Sequence, residues 1–194
     1  MRDRILVEAE RLFRAYGYAK TTVADIAAAC EMSPANVYRF FESKSGIYEA
    51  LTEVILQRME GFAHNIARER RPASERLRKM VVECHALTLE QYLQESKVHE
   101  ICAKAMAEQW SVIDAHCNRM RAIFQEIVAD GMRNGEFAKA DLEARGHCVF
   151  NAVIPFCHPQ IVAERFVDDH GRQAALMVEF ILSALRTGAL EAGQ

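Results

Sequence analysis

The stretch from Thr22 to Lys44 limits the possible folds more than any other part of the chain, because it predicts two short helices joined by a tight turn. Four apolar side chains fall on one face of the first helix, at the i, i+3, i+4 and i+7 spacing of a buried stripe: Val23, Ile26, Ala27 and Cys30. Thr22 precedes this helix and Asp25 follows three residues later, so the two side chains can form a reciprocal cap. Glu31 and Met32 then provide the turn.

The second helix of the pair is expected to begin after Ser33, whose hydroxyl can cap it. Pro34 suits the first helical position, because no backbone N–H is needed there. We expect three side chains to point inward, namely Val37, Phe40 and Phe41. Two helices joined in this way have the layout of a helix-turn-helix, whose second helix enters the major groove of DNA.

The charge pattern of this second helix favours an anionic ligand. No acidic side chain occurs between Met32 and Phe41, although an exposed helix start normally favours Asp or Glu. Its N-terminal N–H groups are therefore open to a phosphate. Lys44 falls in the first turn of the next helix, after the capping residue Ser43, where a cation is unfavourable by roughly 0.3–1 kcal/mol. A solvated lysine would explain this position taken alone, but beside the capped pair we interpret Lys44 as a DNA ligand.

The composition favours an all-α protein with about nine helices. The chain has 194 residues, of which 51% are hydrophobic, and strand-like alternation is nearly absent. Its apolar runs are too short to cross a bilayer and its first residues are amphipathic, so we expect no membrane association and a cytoplasmic location. The formal net charge of −3 means that any DNA contact must come from a local basic surface.

Apolar periodicity places the remaining helices. They are predicted over residues 3–16, 43–71, 74–96, 97–110, 111–133, 141–154 and 169–186. The first should end at Gly17 and bury a stripe made of Ile5, Ala9, Leu12, Phe13 and Tyr16. Ser74 is expected to cap one of these helices, and Pro155 to kink or end another.

The last predicted helix is apolar on nearly every side. A helix of this kind is buried all round, and it can achieve this most simply by packing against a second copy of itself. We therefore expect a homodimer whose interface includes Ala174, Met177, Val178, Ile181, Leu182 and Leu185.

A further set of side chains has the character of a ligand cavity, which needs apolar walls and a few polar groups. The candidates are Tyr92, Met106, Trp110, Ile113, His116, Cys117, Met120, His147, Phe150 and Asn151. A filled core would use the same residue types, so only the set supports a pocket, and no single member does.

The six cysteines are interpreted as reduced, buried thiols. Four of them adjoin a histidine, in the pairs Cys84-His85, His116-Cys117, His147-Cys148 and Cys157-His158. Neighbours on a helix point about 100° apart, and none of the residues in these four pairs has a Cys or His partner within the four pairs at the i, i+3 or i, i+4 spacing that a shared metal ion requires. We therefore predict no metal site, no cofactor and no catalytic residues.

The sequence TTVADIAAACEMSPANVYRFFESKSGIYEAL is similar to the N-terminal domain of the TetR/AcrR transcriptional regulators. The match covers roughly Arg4 to Leu51. It includes an aromatic-Gly-aromatic-x-x-Thr-Thr entry, Asp-Ile-Ala, a Ser that opens the recognition helix, Tyr-x-x-Phe that closes it, and the Lys just beyond. The remainder resembles the variable helical domain of the family in its length and helix pattern.

The resemblance implies a helix-turn-helix DNA-binding domain over residues 1–50 and a helical ligand-binding and dimerisation domain over residues 51–194. It also implies a homodimeric repressor that binds a palindromic double-stranded DNA operator and is released when a small-molecule effector binds in the C-terminal domain. Carried over by position, the DNA contacts would be Thr22, Ser33, Ala35, Asn36, Tyr38, Arg39 and Lys44. Tyr38 and Lys44 would hold phosphates, and Asn36 or Arg39 would read base edges.

One departure from the family pattern concerns the turn. Glu31 stands where the family often has glycine, so it needs an uncommon left-handed conformation or a slightly different turn. Two other functions remain open: an architectural dimer that binds DNA without a ligand, and a Cys/His metal-dependent enzyme. No nucleophile–base motif supports the enzyme, and the four adjacent Cys/His pairs lack a metal-ligand spacing, so we expect a protein that is not an enzyme.

Overall fold

The computed structural model describes residues 1–94, 111–158, 161–162 and 170–187, and all regular structure in these ranges is helical. The eight described helices are α1 (Arg2–Tyr16), α2 (Val23–Ala29), α3 (Pro34–Tyr38), α4 (Lys44–Ala67), α5 (Ala73–Gln94), α6 (Ser111–Arg133), α7 (Leu142–Cys157) and α8 (His170–Thr187). The all-α prediction is confirmed, and the helix predicted over 97–110 lies outside the described residues. No described helix is long and apolar enough to span a membrane.

The chain divides into two compact units. The N-terminal unit consists of Met1–Arg58 and Tyr92–Asp114, and the C-terminal unit consists of Met59–Gln91 and Ala115–Gln194. Each unit has its own cluster of buried apolar side chains.

The core of the N-terminal unit follows the predicted helical stripes. Its buried members include Ile5, Ala9, Leu12 and Phe13 of α1, Val23, Ile26 and Ala27 of α2, then Cys30, Val37, Phe41, Ile47, Tyr48 and Leu51. Burying one face of each short helix against this cluster is what stabilises them, because helices of this length are marginal in isolation.

Two side chains predicted to face this core are exposed instead. Tyr16 is the last residue of α1, and the chain turns away directly after it at Gly17, where φ is 84°. Phe40 is 42% exposed, because α3 ends at Tyr38 and the next turn is tightened by a hydrogen bond from the Phe40 N–H to the Val37 carbonyl. Helical spacing therefore no longer predicts the direction of Phe40.

The core of the C-terminal unit draws on the remaining helices. Its fully buried side chains include Leu77, Met80 and Val81 of α5, Ile123, Phe124, Ile127 and Val128 of α6, Val153 of α7, and Ala174, Val178 and Leu182 of α8. The helix α7 continues through Pro155 to Cys157, beyond the end predicted near Ile154. A proline in the last turn removes one N–H donor there, and the helix still closes with a hydrogen bond from the His158 N–H to the Ile154 carbonyl.

The start of α5 is held by a distant carboxylate rather than by its own capping residue. The helix begins at Ala73, so the prediction that Ser74 caps it is wrong. The Glu136 carboxylate accepts hydrogen bonds from the N–H groups of Ala73 (2.7 Å) and Ser74 (3.0 Å), and from the Ser74 hydroxyl (2.8 Å). Burial raises the pKa of Glu136, but these hydrogen bonds outweigh it and hold the pKa below its ordinary value.

We predict that Glu136→Ala lowers the free energy of unfolding by about 1–2 kcal/mol, because it leaves two backbone donors at the start of α5 without their acceptor. Urea denaturation followed by circular dichroism measures this loss. Ser74→Ala is the matched control, since it removes only one of the three hydrogen bonds. A larger loss for Ser74→Ala than for Glu136→Ala would contradict this account of the cap.

Candidate nucleic-acid interface

The first helix of the predicted pair is closed at its start by the reciprocal cap. The Thr22 hydroxyl accepts a hydrogen bond from the Asp25 N–H (3.1 Å), and the Asp25 carboxylate accepts from the Thr22 N–H (2.8 Å) and hydroxyl (2.7 Å). These hydrogen bonds lower the pKa of Asp25. The capping box is therefore confirmed, and it fixes where α2 begins next to the exposed Thr22 side chain.

The turn between α2 and α3 is a Schellman motif with a non-glycine residue at its left-handed position. Glu31 has φ 56°, which confirms the left-handed alternative. The Met32 N–H donates to the Ala27 carbonyl (2.8 Å), and the Glu31 N–H donates to the Ala28 carbonyl (3.0 Å). The carbonyls at the end of α2 are thereby satisfied, and the chain is redirected into α3.

The short helix α3 presents most of its side chains to solvent. Ser33 caps it by accepting a hydrogen bond from the Asn36 N–H (3.3 Å), and Pro34 occupies the first helical position, as predicted. Val37 is fully buried and attaches the helix to the core of the N-terminal unit. The other predicted contacts of this segment are exposed, namely Ser33, Ala35, Asn36, Tyr38 and Arg39.

The exposed side of α3 combines an aromatic and a cationic side chain. Tyr38 is 52% exposed and lies next to Arg39 in the chain. Arg39 has no ion-pair partner among the residues that the structure describes. A hydroxyl, an amide and an unpaired guanidinium on one exposed segment are the groups that proteins use on phosphates and base edges.

Lys44 has protein partners that the sequence did not reveal. Its ammonium group donates to the carbonyls of Tyr18 (2.9 Å) and Thr21 (3.0 Å), and it lies 4.2 Å from the centre of the Tyr18 ring. These contacts explain why a cation is tolerated in the first turn of α4. The inference that its position indicates an external ligand is therefore weakened, and a phosphate contact from Lys44 stays a prediction.

An aromatic cluster supports the loop that Lys44 holds. The ring centres of Tyr18 and Tyr48 are 4.5 Å apart, and Phe13 lies 5.2 Å from Tyr48 and 5.6 Å from Tyr18. Thr21 is buried, and its hydroxyl donates to the Gly17 carbonyl (2.9 Å). The aromatic cluster and the Thr21 hydrogen bond therefore fix the loop that leads into α2.

The predicted cavity residues are only partly brought together. Met120 and Phe150 belong to the core of the C-terminal unit, and Cys117 packs against it. Ile113 and His147 are half-buried, whereas Asn151 is exposed. The Tyr92 side chain, Met106 and Trp110 lie outside the described part of the structure, so the cavity stays a prediction.

His116 belongs to a polar cluster that sequence reasoning missed. The buried Glu60 carboxylate of α4 accepts hydrogen bonds from His116 Nδ1 (2.7 Å) and Arg119 Nε (2.7 Å) of α6. Burial raises the pKa of Glu60, but the hydrogen bonds from Arg119 and His116 together hold it below its ordinary value. Burial lowers the pKa of His116 by more than the Glu60 hydrogen bond raises it, so His116 is neutral near pH 7.

The predicted dimer residues lie mostly inside the subunit. Five of the six, all except Met177, are buried in the core of the C-terminal unit: Ala174, Val178, Ile181, Leu182 and Leu185. The same helix exposes two other large apolar side chains, Leu176 (60% exposed) and Phe180 (72% exposed). The helix α8 therefore has one face against its own subunit and a second apolar face in solvent.

The sequence matches family profiles in both parts of the chain. Residues 5–51 match the profile of bacterial regulatory proteins, tetR family, and residues 73–178 match that of the tetracyclin repressor-like C-terminal domain. The chain therefore belongs to the TetR family of DNA-binding transcriptional regulators. No curated protein matches the chain significantly.

Solved structures show the same fold. A TetR/AcrR-family transcriptional regulator from Thermobifida fusca is 24% identical, with a TM-score of 0.66 over 96% of this chain and 97% of that one. SmeT, the repressor of the Stenotrophomonas maltophilia multidrug efflux pump SmeDEF, is 19% identical, with a TM-score of 0.70 over 100% of this chain and 95% of that one. SmeT in complex with triclosan is 20% identical, with a TM-score of 0.69 over the same shares of the two chains.

We predict that Glu31→Gly raises the free energy of unfolding by about 1 kcal/mol, because glycine adopts the left-handed conformation without steric strain. Thermal and urea denaturation measure the change. Glu31→Ala is the matched control, since it removes the exposed ion pair with Arg4 but keeps a side chain at the strained position. Equal stability of the two variants would contradict the strain at this turn.

We predict that His116 makes the protein less stable as pH falls. The folded-state pKa lies below the ordinary value of 6.5, so the unfolded chain binds the proton first and stability decreases below about pH 6.5. In His116→Gln this component should be absent, so its stability should fall less than that of the wild type between neutral pH and pH 5. Urea denaturation across this pH range measures the difference, and parallel curves for the two proteins would show the prediction to be wrong.

Proposed function

We propose that this protein is a ligand-responsive transcriptional repressor, which binds a palindromic operator as a homodimer and releases it when a small molecule binds. In this proposal residues 1–50 form the DNA-binding domain, and residues 51–194 form the ligand-binding and dimerisation domain. The main observation in support of the repressor proposal is the exposed segment from Ser33 to Arg39. This segment is held in place by the buried Val37 and has no acidic side chains.

The DNA contacts divide by their chemistry. Arg39 and Asn36 are exposed and can make paired hydrogen bonds to base edges, arginine with guanine and asparagine with adenine. Tyr38, Thr22 and Ser33 present hydroxyls that can donate to phosphate oxygens, with Ala35 close to the groove wall. Lys44 has three N–H donors, two of which are used on the carbonyls of the loop, so one remains for a phosphate.

The dimer is proposed to form through the solvent-facing side of α8. Leu176 and Phe180 give this side an apolar surface, and Met177 lies at its edge. The buried side chains on the opposite side of α8 pack into the core and thereby fix the position of this surface. A two-fold dimer suits a palindromic operator, since each half-site then meets one copy of α3.

The small-molecule response is proposed by analogy with SmeT, which is a repressor and has been crystallised with triclosan. The half-buried and buried candidates His116, Met120 and His147 of the C-terminal unit would contribute to the binding region of this chain. We also propose that the protein is cytoplasmic and has no catalytic activity, in keeping with this role.

We predict that Arg39→Ala weakens binding to DNA from upstream of the protein's own gene by about tenfold or more, since a lost base contact costs about 1–3 kcal/mol. Fluorescence anisotropy with labelled duplexes, over about 50–200 mM salt, measures both the affinity and its salt dependence. The matched control is Lys139→Ala, which removes an exposed cation of the C-terminal unit.

The same titration separates the possible failures. If Arg39→Ala and Lys139→Ala bind as tightly as the wild type, the assignment of α3 as the reading helix is wrong. If the wild type shows no preference for upstream DNA over a scrambled duplex, the repressor proposal itself fails. Lys44→Ala is measured together with a thermal melt, because this change also removes the anchor of the loop from Tyr18 to Thr21.

A further inference from the structure

The polar cluster that joins α4 to α6 has one ring nitrogen without a hydrogen bond. His116 Nδ1 and Arg119 Nε both hydrogen-bond to the buried Glu60 carboxylate, each at 2.7 Å. The other ring nitrogen of His116, Nε2, makes no hydrogen bond within the described part of the structure. It is not one of the completely buried polar atoms, and the His116 side chain is 14% exposed. Nε2 is therefore open to an incoming molecule.

The Glu60 carboxylate determines the chemical character of Nε2. Burial raises the pKa of Glu60, but the hydrogen bonds from Arg119 and His116 hold it below its ordinary value, so the carboxylate is ionised. An ionised carboxylate only accepts hydrogen bonds, so His116 Nδ1 must carry a proton and donate it. Because His116 is neutral near pH 7, Nε2 then has no proton and presents a lone pair. The open atom is thus a hydrogen-bond acceptor in a fixed tautomer.

Apolar side chains flank the two hydrogen-bonded residues along their helices. Met120 lies one turn after His116 on α6, and Ala63 lies three residues after Glu60 on α4, and both are buried in the core of the C-terminal unit. Phe62, on α4, packs against the same core. An acceptor bordered by apolar side chains suits a molecule with an apolar body and a single polar hydrogen.

The charges of the cluster select against ionised ligands. Glu60 and Arg119 carry opposite charges, so with a neutral His116 the cluster has no net charge. An anion would meet the lone pair of Nε2, with the Glu60 carboxylate behind the ring, and would find no N–H donor there. A cation would lie near Arg119, while both carboxylate oxygens of Glu60 are already hydrogen-bonded. A neutral molecule that donates a hydrogen bond fits best.

We propose that His116 Nε2 accepts a hydrogen bond from the hydroxyl of a neutral aromatic effector of the phenol class. A phenol has a pKa of about 10, so at neutral pH it keeps its proton and is a good donor. The proton stays on the phenol oxygen, and the aromatic ring lies against the apolar side chains. The inference rests on the proposed ligand response and gives the effector a chemical class.

Isothermal titration calorimetry of the full-length protein without DNA tests the donor with three probes. The probes are para-tert-butylphenol, para-tert-butylanisole and para-tert-butylbenzoate, which share an apolar body, but only the phenol has a neutral hydroxyl donor. The phenol should bind, and the other two should each bind at least about tenfold more weakly, because they cover Nε2 without giving it a donor. In His116→Leu the preference for the phenol over the anisole should disappear.

The matched control is Asn118→Ala, which changes an exposed residue of the same helix and should keep the preference. Nitrogen NMR of the histidine rings gives a second measurement that needs no substitution. Nε2 of His116 should be unprotonated in the free protein, and its signal should move when the phenol is added but not when the anisole is added. A protonated Nε2, equal affinities for phenol and anisole, or a folded His116→Leu variant that keeps the preference would each overturn the proposal.

A titration of the protein–DNA complex with the phenol separates this inference from the repressor proposal. If the phenol binds through His116 but leaves the DNA bound, the binding site is supported and the proposed ligand response fails. If the phenol does not bind while the protein still selects its upstream DNA, the phenol site is wrong and the DNA-binding function stands. Fluorescence anisotropy of the labelled duplex measures both outcomes when it is read beside the calorimetry.

Discussion

The placement of α3 depends on one buried side chain and two capped turns. A helix of five residues is not stable alone, so its position must come from its surroundings. Val37 provides the hydrophobic anchor, the Schellman turn at Glu31 sets the direction in which the chain arrives, and the Ser33 hydroxyl accepts a hydrogen bond from the Asn36 N–H. The remaining side chains of α3 are thereby left in solvent on a fixed backbone, as the proposed DNA contacts require.

Side chains that are distant in the sequence form hydrogen bonds with backbone groups at the ends of several helices and in one loop. The Lys44 ammonium group donates hydrogen bonds to the carbonyls of Tyr18 and Thr21. The Glu136 carboxylate accepts hydrogen bonds from the first N–H groups of α5. Arg145 is buried and donates to the carbonyls of Ala138 and Leu185, near the end of α8. In each case a charged group stabilises backbone atoms outside its own helix, so its removal would destabilise an element that is distant in the sequence.

The two units differ in how well local patterns predict their details. In the N-terminal unit the capping box, the cap at Ser33, Pro34 and the buried face of α2 involve residues within a few positions of each other, and all are as predicted. Phe40 and Tyr16 were misplaced because helical spacing was applied at or beyond the end of a helix. In the C-terminal unit, Glu60 with His116 and Arg119 joins α4 to α6 and could not be found from spacing, because the partners are 56 and 59 residues apart.

The sequence by itself determined the helical class, most of the helix limits and the helix-turn-helix, because these depend on periodicity, caps and turn residues that act over a few positions. The family followed from the resemblance of the N-terminal motifs and from the profile matches. The tertiary structure alone decided which charged groups are already engaged and which face of α8 remains in solvent. Lys44 shows the reason. Its position in the sequence suggested an external ligand, and only the folded chain places its ammonium group on the carbonyls of Tyr18 and Thr21, since such contacts depend on three-dimensional register that no local spacing records.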